Sequence, residues 1–585
     1  MRISVARRAG SCALALAALL CAPGLYAQNQ APEAATGSAQ KQGVSFKRQG
    51  IAAANPLAVE AGYAMLRKGG TAVDAAVAAQ LVLGLVEPQS SGLGGGTFML
   101  VHDNKRKQLT TYDGRETAPA AATPERFIGS DGMPLKFYDA VIGGKAFGVP
   151  GTVALLAASH KKHGKLAWKT LFVPAIALAE QGFPVSLRLH GQLKGDRFLR
   201  NDPVSRAYFY NAAGEPWPVG HTLKNPEYAA TLRAVADRGA AAFYEGEIAS
   251  DIVRVARAHA SASDITEADL AAYRVAEREP VCGRYRAVRV CGMGPPSSGG
   301  IAVAQILAFV ERFPLSQWGP NSADSVHVIS EAGRLAFADR NRYLADPDFV
   351  AIPGGLLDPA YLKSRGDQID LKASMKRAEP GSPPGSTVAL ADDQSPEFPG
   401  TSHLSIIDRY GNAVSMTTTI EDQFGARVMV RGFLLNNELT DFSFVPQENG
   451  ALVANRIQAG KRPRSSIAPI IVFDQQDRPI IVTGSPGGSA IINYVAKSLI
   501  AMIDWGLSPQ AAANLPNFGS RNGPTELERG TALEAMKPEL ERRGHSVNVM
   551  EFTSGLHILE RNVTSRQRGW RGGADPRREG IVLGD

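Results

Sequence analysis

The stretch EPGSPPGSTVALADDQSPEFPG (379–400) runs directly into TSHLSIID (401–408), and the character of the chain changes at that junction. Residues 379–400 are rich in Pro, Gly, Ser and Asp and have no apolar period, which predicts a mobile linker. Residues 402–408 and 413–420 have the pattern of two strands around a turn at Arg409-Tyr410-Gly411-Asn412. A core strand is therefore expected to begin abruptly where the linker stops. Taken alone, Thr401-Ser402-His403 reads as an ordinary strand start, because Thr favours strands.

Downstream, residues 470–484 predict two more strands around a turn at 474–478. The second runs into Gly484-Ser485-Pro486-Gly487-Gly488 and then a helix from about Ser489 to Trp505. Backbone N–H groups at a glycine-led helix start suit an anion. The loop lacks the Gly-Lys-Ser/Thr ending of a phosphate loop, so an oxyanion developing on a carbonyl is the better match. Two further segments, Lys461-Arg462-Pro463-Arg464-Ser465-Ser466 and Tyr112-Asp113-Gly114-Arg115-Glu116-Thr117-Ala118-Pro119, place polar groups beside strand-like runs. Solvated turns explain either of them on its own.

Upstream, Asn55-Pro56 predicts a helix start, with Asn as cap and Pro at the first turn, and Gly69-Gly70 its end. Thr71 and Asp74 predict a capping box opening a buried helix to about Val86. Ser90-Ser91-Gly92-Leu93-Gly94-Gly95-Gly96-Thr97 has Thr97 where a dinucleotide fingerprint needs its third glycine, and no strand precedes it; a packing turn before a strand at 98–102 is expected. Residues 150–370 alternate helical patterns with short strands and show no fixed-period repeat.

The chain has 585 residues, 44% hydrophobic and 20% charged, the composition of a globular protein. Arg2, Arg7 and Arg8 precede an apolar run at 12–21, and Leu25-Tyr26-Ala27 offers a cleavage site, the pattern of a signal peptide over 1–27. That run falls short of the roughly 20 apolar residues that a membrane-spanning helix requires. Three of the arginines behind the net charge of +7 lie in this signal and the rest of the excess is scattered, which argues against nucleic acid as partner. Beyond the signal only Cys282 and Cys291 remain, flanking a short predicted hairpin. Export allows a disulfide, and two free buried thiols are the alternative. No metal cluster or cofactor motif is visible.

Five motifs in order, Asp113-Gly114-Arg115-Glu116-Thr117-Ala118-Pro119, Pro295-Pro296-Ser297-Ser298-Gly299-Gly300, Gly400-Thr401-Ser402-His403, Arg462-Pro463-Arg464-Ser465-Ser466 and Gly484-Ser485-Pro486-Gly487-Gly488, resemble those of the γ-glutamyltranspeptidases, which are N-terminal nucleophile hydrolases. The resemblance spans nearly all of the chain beyond the signal. It implies a four-layer αββα sandwich (α/β) formed by two fragments of one precursor, cut between Gly400 and Thr401 into a large fragment, 28–400, and a small catalytic one, 401–585, that associate as a heterodimer. It further implies Thr401 as nucleophile, Thr419 as its support, Gly487 and Gly488 as oxyanion hole, and Arg115, Ser465 and Ser466 as holders of a substrate α-carboxylate. Asp441 is expected on the α-ammonium. Family members often carry Asn where this chain has Glu421, and Gln or Glu where it has Glu438, so Glu421, Glu438 and Asp441 are expected around one ammonium.

The chemistry implied is transfer of a γ-glutamyl group from a small-molecule donor such as glutathione to water or an amine, in a periplasmic or secreted protein without cofactor. Residues 442–460 contain no tyrosine where many members have a lid tyrosine, which predicts a more open site favouring hydrolysis. A related acylase for another side-chain amide, cephalosporin-acylase-like, and an uncleaved non-catalytic binding protein are the competing readings.

Overall fold

The computed structural model describes residues 39–386, 389–395, 400–562 and 569–585. The signal-peptide reading of 1–27 lies outside them. Among the described residues no helix is long and apolar enough to cross a membrane.

The first helix, Pro56–Arg67, starts as expected: the Asn55 side chain accepts from the Leu57 N–H at 3.0 Å, and Pro56 occupies the first helical position. The second, Ala72–Val86, carries the Thr71/Asp74 capping box and is buried along its whole length, because its sequence offers no polar face. Both pack against a seven-stranded antiparallel sheet. Its order is Ile581–Gly584, Gly50–Ala53, Thr401–Ile407, Ala413–Thr419, Gly96–Asp103, Gln108–Gly114 and Ala276–Arg278.

A second seven-stranded antiparallel sheet runs Val44–Phe46, Gly569–Ala574, His557–Asn562, Pro479–Thr483, Ile470–Phe473, Val288–Gly292 and Val281–Tyr285. Helices Gly299–Val310, Ala323–Tyr343 and Ile491–Ile503 share its apolar core. The two sheets meet through side chains: Ser405 Oγ donates to the His557 carbonyl and Ser415 Oγ to that of Thr483, each at 2.9 Å.

Side-chain alternation along Thr401–Ile407 fixes which way the junction points. Leu404 and Ile406 are buried in the core shared with the first two helices, each contributing roughly 1.5–3 kcal/mol. Ser405 and Ile407 turn to the second sheet and its core, and Thr401 has their parity. A one-residue slip would exchange the two sets, so the apolar pattern itself locks the register that pairs Thr401 with Thr419.

Two expectations change. The linker is not featureless: Leu390–Ala391 forms a parallel strand with Leu452 and Val453. Two residues on, buried Asp393 pairs with Arg464 at 3.0 Å and accepts from Asn455 at 2.7 Å. A two-residue strand has no readable period, and its partners lie some sixty residues downstream. The cysteine alternative also closes: Cys282 and Cys291 are directly paired across the hairpin and bonded, S–S 2.06 Å.

Candidate active site

The start of strand Thr401–Ile407 and the end of strand Ala413–Thr419 lie side by side in the ladder, and from them the hydroxyl side of the site is built. The Thr401 hydroxyl donates to Thr419 Oγ1 at 3.4 Å, and the Thr419 hydroxyl donates to the Gly400 carbonyl at 3.0 Å. The Ile420 N–H also points at the Gly400 oxygen, at 3.4 Å, and the Glu421 N–H donates to Thr419 Oγ1 at 2.9 Å. A continuous chain thus links the nucleophile candidate to the carbonyl of the bond before it. Arg578, buried, donates to the Thr401 carbonyl at 3.1 Å and fixes that peptide from the other side.

Gly400 itself is demanded by space. A Cβ there would lie 2.4 Å from the Glu421 carbonyl oxygen and 2.6 Å from the Asp422 carbonyl carbon, closer than atoms approach.

Opposite stands the loop leaving strand Pro479–Thr483. Gly487 and Gly488 have φ of 136° and 57°, backbone that glycine adopts freely, and a Cβ on Gly487 would meet the Tyr494 ring at 2.5 Å. No acceptor among the described residues takes the N–H of either glycine. Gly488 lines the same cavity as Thr401.

The charged side gathers from three separate segments. Arg115 follows strand Gln108–Gly114; Glu438 and Asp441 lie on the short 3-10 turn Glu438–Asp441; Ser465 and Ser466 follow Pro463. The Arg115 guanidinium donates from Nη1 to Glu438, from Nη2 to Asp441 and to the Arg464 carbonyl at 3.0 Å, and from Nε to the Pro463 carbonyl at 3.1 Å. Ser466 Oγ accepts from Arg340 at 2.6 Å and Ser465 Oγ from the Ile467 N–H at 3.2 Å. The Ser298 hydroxyl and N–H, in the Pro295–Gly300 motif, both hold the Ser465 carbonyl, each at 2.7 Å.

With no substrate ammonium present, the charged groups are engaged with one another. In the uncut chain Glu438 and Asp441 surround the Arg115 guanidinium, and Glu421 turns aside to accept from Asn437 and Thr440. Buried opposite charges satisfy one another, since either left alone in the interior costs several kcal/mol. Glu421 holds φ of 75°, a left-handed conformation uncommon for residues other than glycine and one in which Asn is several-fold enriched.

Electrostatics follow from the crowding. Burial, then the charges of Asp441, Asp422 and Glu438, pushes the Glu421 carboxyl well above the ordinary range, so it is held as the acid. Burial also raises Glu438, against the pull of Arg115. Burial opposes the Arg115 charge, but Glu438 and Asp441 outweigh it and keep it protonated.

Thr401, Thr419, Gly488, Arg115, Glu421, Glu438, Asp441, Ser465 and Ser466, all singled out in the sequence, line one cavity. Gly400 and Gly487 adjoin it through the contacts above. Sequence reasoning missed the residues behind the lining: Arg340 on Ser466, Arg578 on Thr401, and Glu116 beside Arg115. Only Glu116 left a signal, standing inside a motif already noted. Elsewhere His327, Glu331 and His545 lie close together in the described residues, but the two rings hydrogen-bond each other at 2.6 Å, and Glu331 is taken up by Arg334, Ser374 and the Met375 N–H. That cluster is a structural network.

Comparison with known proteins adds the following. The family model described as gamma-glutamyltranspeptidase matches residues 58–584. The chain is 36% identical over 544 residues to a glutathione hydrolase proenzyme of Bacillus subtilis (strain 168), covering 91% of each. It is 39% identical over 522 residues to the glutathione hydrolase proenzyme of Escherichia coli (strain K12), covering 87% of each. Among solved structures, a cephalosporin acylase from Bacillus halodurans superposes with a TM-score of 0.81 at 28% identity, covering 95% of this chain and 99% of that one.

Proposed function

The chain belongs to the γ-glutamyltranspeptidase family, and from that membership we propose that it is a self-cleaving γ-glutamyl hydrolase and transferase whose nucleophile is Thr401. The observation that carries the nucleophile assignment is the hydroxyl chain from Thr401 through Thr419 to the Gly400 carbonyl.

The cut runs along that chain. Thr401 Oγ adds to the Gly400 carbonyl carbon while Thr419 and the Ile420 N–H donate to the oxygen where negative charge develops. The C–N bond breaks as the nitrogen takes up the proton lost from Thr401 Oγ, leaving Gly400 esterified to Thr401 Oγ and Thr401 with a free amine. Water hydrolyses the ester and releases the Gly400 carboxylate. The fragments are 28–400 and 401–585, associated as a heterodimer in a four-layer αββα sandwich, exported by the signal at 1–27.

In turnover the Thr401 amine is the base. An α-amine has a reference pKa of about 7.7–8.0, so near neutral pH a useful fraction is unprotonated and takes the proton of its own hydroxyl. The γ-glutamyl carbonyl is attacked, its oxygen is received by the N–H groups of Gly487 and Gly488, and the amine product leaves with the proton. Water or a second amine then takes the acyl group from Thr401.

For the donor's α-carboxylate to reach Arg115, Ser465 and Ser466, the guanidinium exchanges one of its own carboxylates for the substrate's. The displaced Asp441, with Glu438, then faces the α-ammonium. One exchange therefore places both charges of the glutamyl group. Without a lid tyrosine in 442–460, water competes well with amine acceptors.

The likeness to a cephalosporin acylase favours one second reading, hydrolysis of another side-chain amide by the same nucleophile. Incubating the purified protein and sequencing the N-terminus of the smaller fragment tests the cut; a start anywhere but Thr401 overturns it. A panel of glutathione, glutamine and a glutaryl amide, with and without glycylglycine, separates the two readings. Preference for the glutaryl amide would favour the acylase, and dominant transfer at low glycylglycine would refute the open-site reading.

A further inference from the structure

Glu116 sits directly behind the cavity wall, fully buried, between Arg115 and the glycine turn at 94–96. Its place is shaped for it: a Cβ on Gly96 would lie 2.1 Å from Glu116 Oε2, and one on Gly148 would lie 2.9 Å from its Cβ. Yet among the described residues none donates a hydrogen bond to either of its carboxyl oxygens, and Glu438 Oε2 also lacks a donor there. The two carboxyl groups share a neighbour, since Arg115 Nη1 is bound to Glu438 Oε1 and lies 3.9 Å from Glu116 Oε2.

Arg115, the cation beside both carboxyls, is already engaged with Glu438 Oε1 and Asp441, so two ionised groups here would repel each other in the interior; a single shared proton joins a Glu116 oxygen to Glu438 Oε2 and removes that repulsion. We propose that Glu116 is a positioning residue that remains a carboxylic acid and donates its proton to Glu438, fixing Glu438 and through it the Arg115 guanidinium. The proposal rests on the reading of Arg115 as the donor-carboxylate site.

The surroundings support the direction of that bond. Burial first, then the charge of Glu438, drives the Glu116 carboxyl well above its ordinary range, while the bond from Glu116 stabilises Glu438 as the carboxylate. The charged and titratable groups around Glu116 are Arg115, Glu438, Tyr244 and Tyr273. Both phenols donate to carbonyls, Tyr244 to Pro150 at 2.9 Å and Tyr273 to Arg115 at 2.7 Å, and burial keeps them neutral. Neither competes for the proton. With it in place, Arg115 meets one carboxylate on Nη1. Without it, Arg115 faces a second negative charge, and Glu438 is pushed off its position.

The expected signature is a rise in KM for the γ-glutamyl donor on the alkaline side as the shared proton is lost. Glu116→Gln keeps a neutral donor facing Glu438 and removes the titration, so this rise should flatten while KM at neutral pH changes by no more than about threefold. Glu116→Ala leaves Glu438 without its donor, and KM should rise roughly tenfold or more with kcat much less affected. Gel analysis of the cut ensures that only matured enzyme is compared. A Glu116→Gln enzyme with the wild-type alkaline rise, or one as impaired as Glu116→Ala, overturns the proposal.

An infrared measurement needs neither substrate nor an active variant. The wild type near neutral pH should show a protonated carboxyl C=O band that Glu116→Gln lacks and Glu421→Gln retains, and that disappears on titration to high pH; its absence from the wild-type minus Glu116→Gln difference spectrum refutes the shared proton whatever donor the enzyme takes.

Discussion

The hydroxyl side of the cavity, Thr401 and Thr419, is set by a strand ladder, whereas the charged side, Arg115 with Glu438 and Asp441, is set by long side chains meeting from three segments. The first is neutral, complete before the chain is cut, and positioned by backbone that cannot move without breaking a sheet. The second is closed on itself by ion pairs that substrate has to exchange. One side is therefore suited to a reaction within the chain and the other to a reversible visitor. On the proposed function, the same cavity serves maturation and turnover because the two tasks fall on opposite walls.

The largest effects should come from the ladder side. Thr401→Ala removes the proposed nucleophile, and Gly400→Ala forces a Cβ against the Glu421 and Asp422 backbone. Both should remain a single full-length band on a denaturing gel, with activity reduced by roughly 10³-fold or more. Thr419→Ala deletes the donor to the Gly400 carbonyl and should slow the cut by about 10²–10³-fold. Arg115→Lys should do the reverse, leaving the cut within about threefold of normal but raising donor KM roughly tenfold or more, because an ammonium cannot reproduce the planar fork. If Arg115→Lys stalls the cut as severely as Thr419→Ala, the two walls are not independent.

This contrast also marks what the sequence made legible. The helices at 56–67 and 72–86, the strand pair at 401–407 and 413–419, and the pair around 474–478 follow from caps, turns and alternation, all local signals. The lining residues were nameable through the family resemblance. Their pairing was not: Arg115 and Glu438 are more than three hundred residues apart, and nothing in the sequence around either says that one will neutralise the other. The strand at Leu390–Ala391 was hidden for the same reason, being too short to have a period and defined only by a distant partner. Local chemistry writes the hydroxyl wall; long-range charge balance writes the other.

A smaller effect probes that balance through pH. Glu421 is held as the acid in the folded protein, its pKa raised by burial and then by Asp441, Asp422 and Glu438. For a carboxyl whose folded pKa lies above the unfolded value, the stabilising contribution is complete below the unfolded pKa and is lost as pH rises through the folded one. Glu421→Gln removes that loss. Between about pH 5 and 9 the Tm of the wild type should fall relative to the variant, and the gap should widen toward alkaline pH. A constant difference across that range would mean that Glu421 is ionised throughout, and that the charged wall has one more negative charge than its single guanidinium implies.

The smallest effect lies farthest from Thr401. The bond between Cys282 and Cys291, at a sequence separation of 9, closes a hairpin at the edge of the second sheet. Chain-entropy reasoning gives such a closure about 2–3 kcal/mol, but the ladder already holds these strands, so only part of that should be felt. Reduction, or Cys282→Ser with Cys291→Ser, should lower Tm by roughly 1–3 °C. The direction of any functional consequence is the more telling result. Strand Val288–Gly292 leads into the loop whose Ser298 holds the Ser465 carbonyl, so loosening should reach the charged wall first. Donor KM should rise by up to about twofold, equivalent to about 0.4 kcal/mol, while the rate of the cut stays unchanged. A slower cut with unaltered KM would reverse that order, and would mean that the second sheet supports the Gly487–Gly488 loop more directly than it supports Ser465.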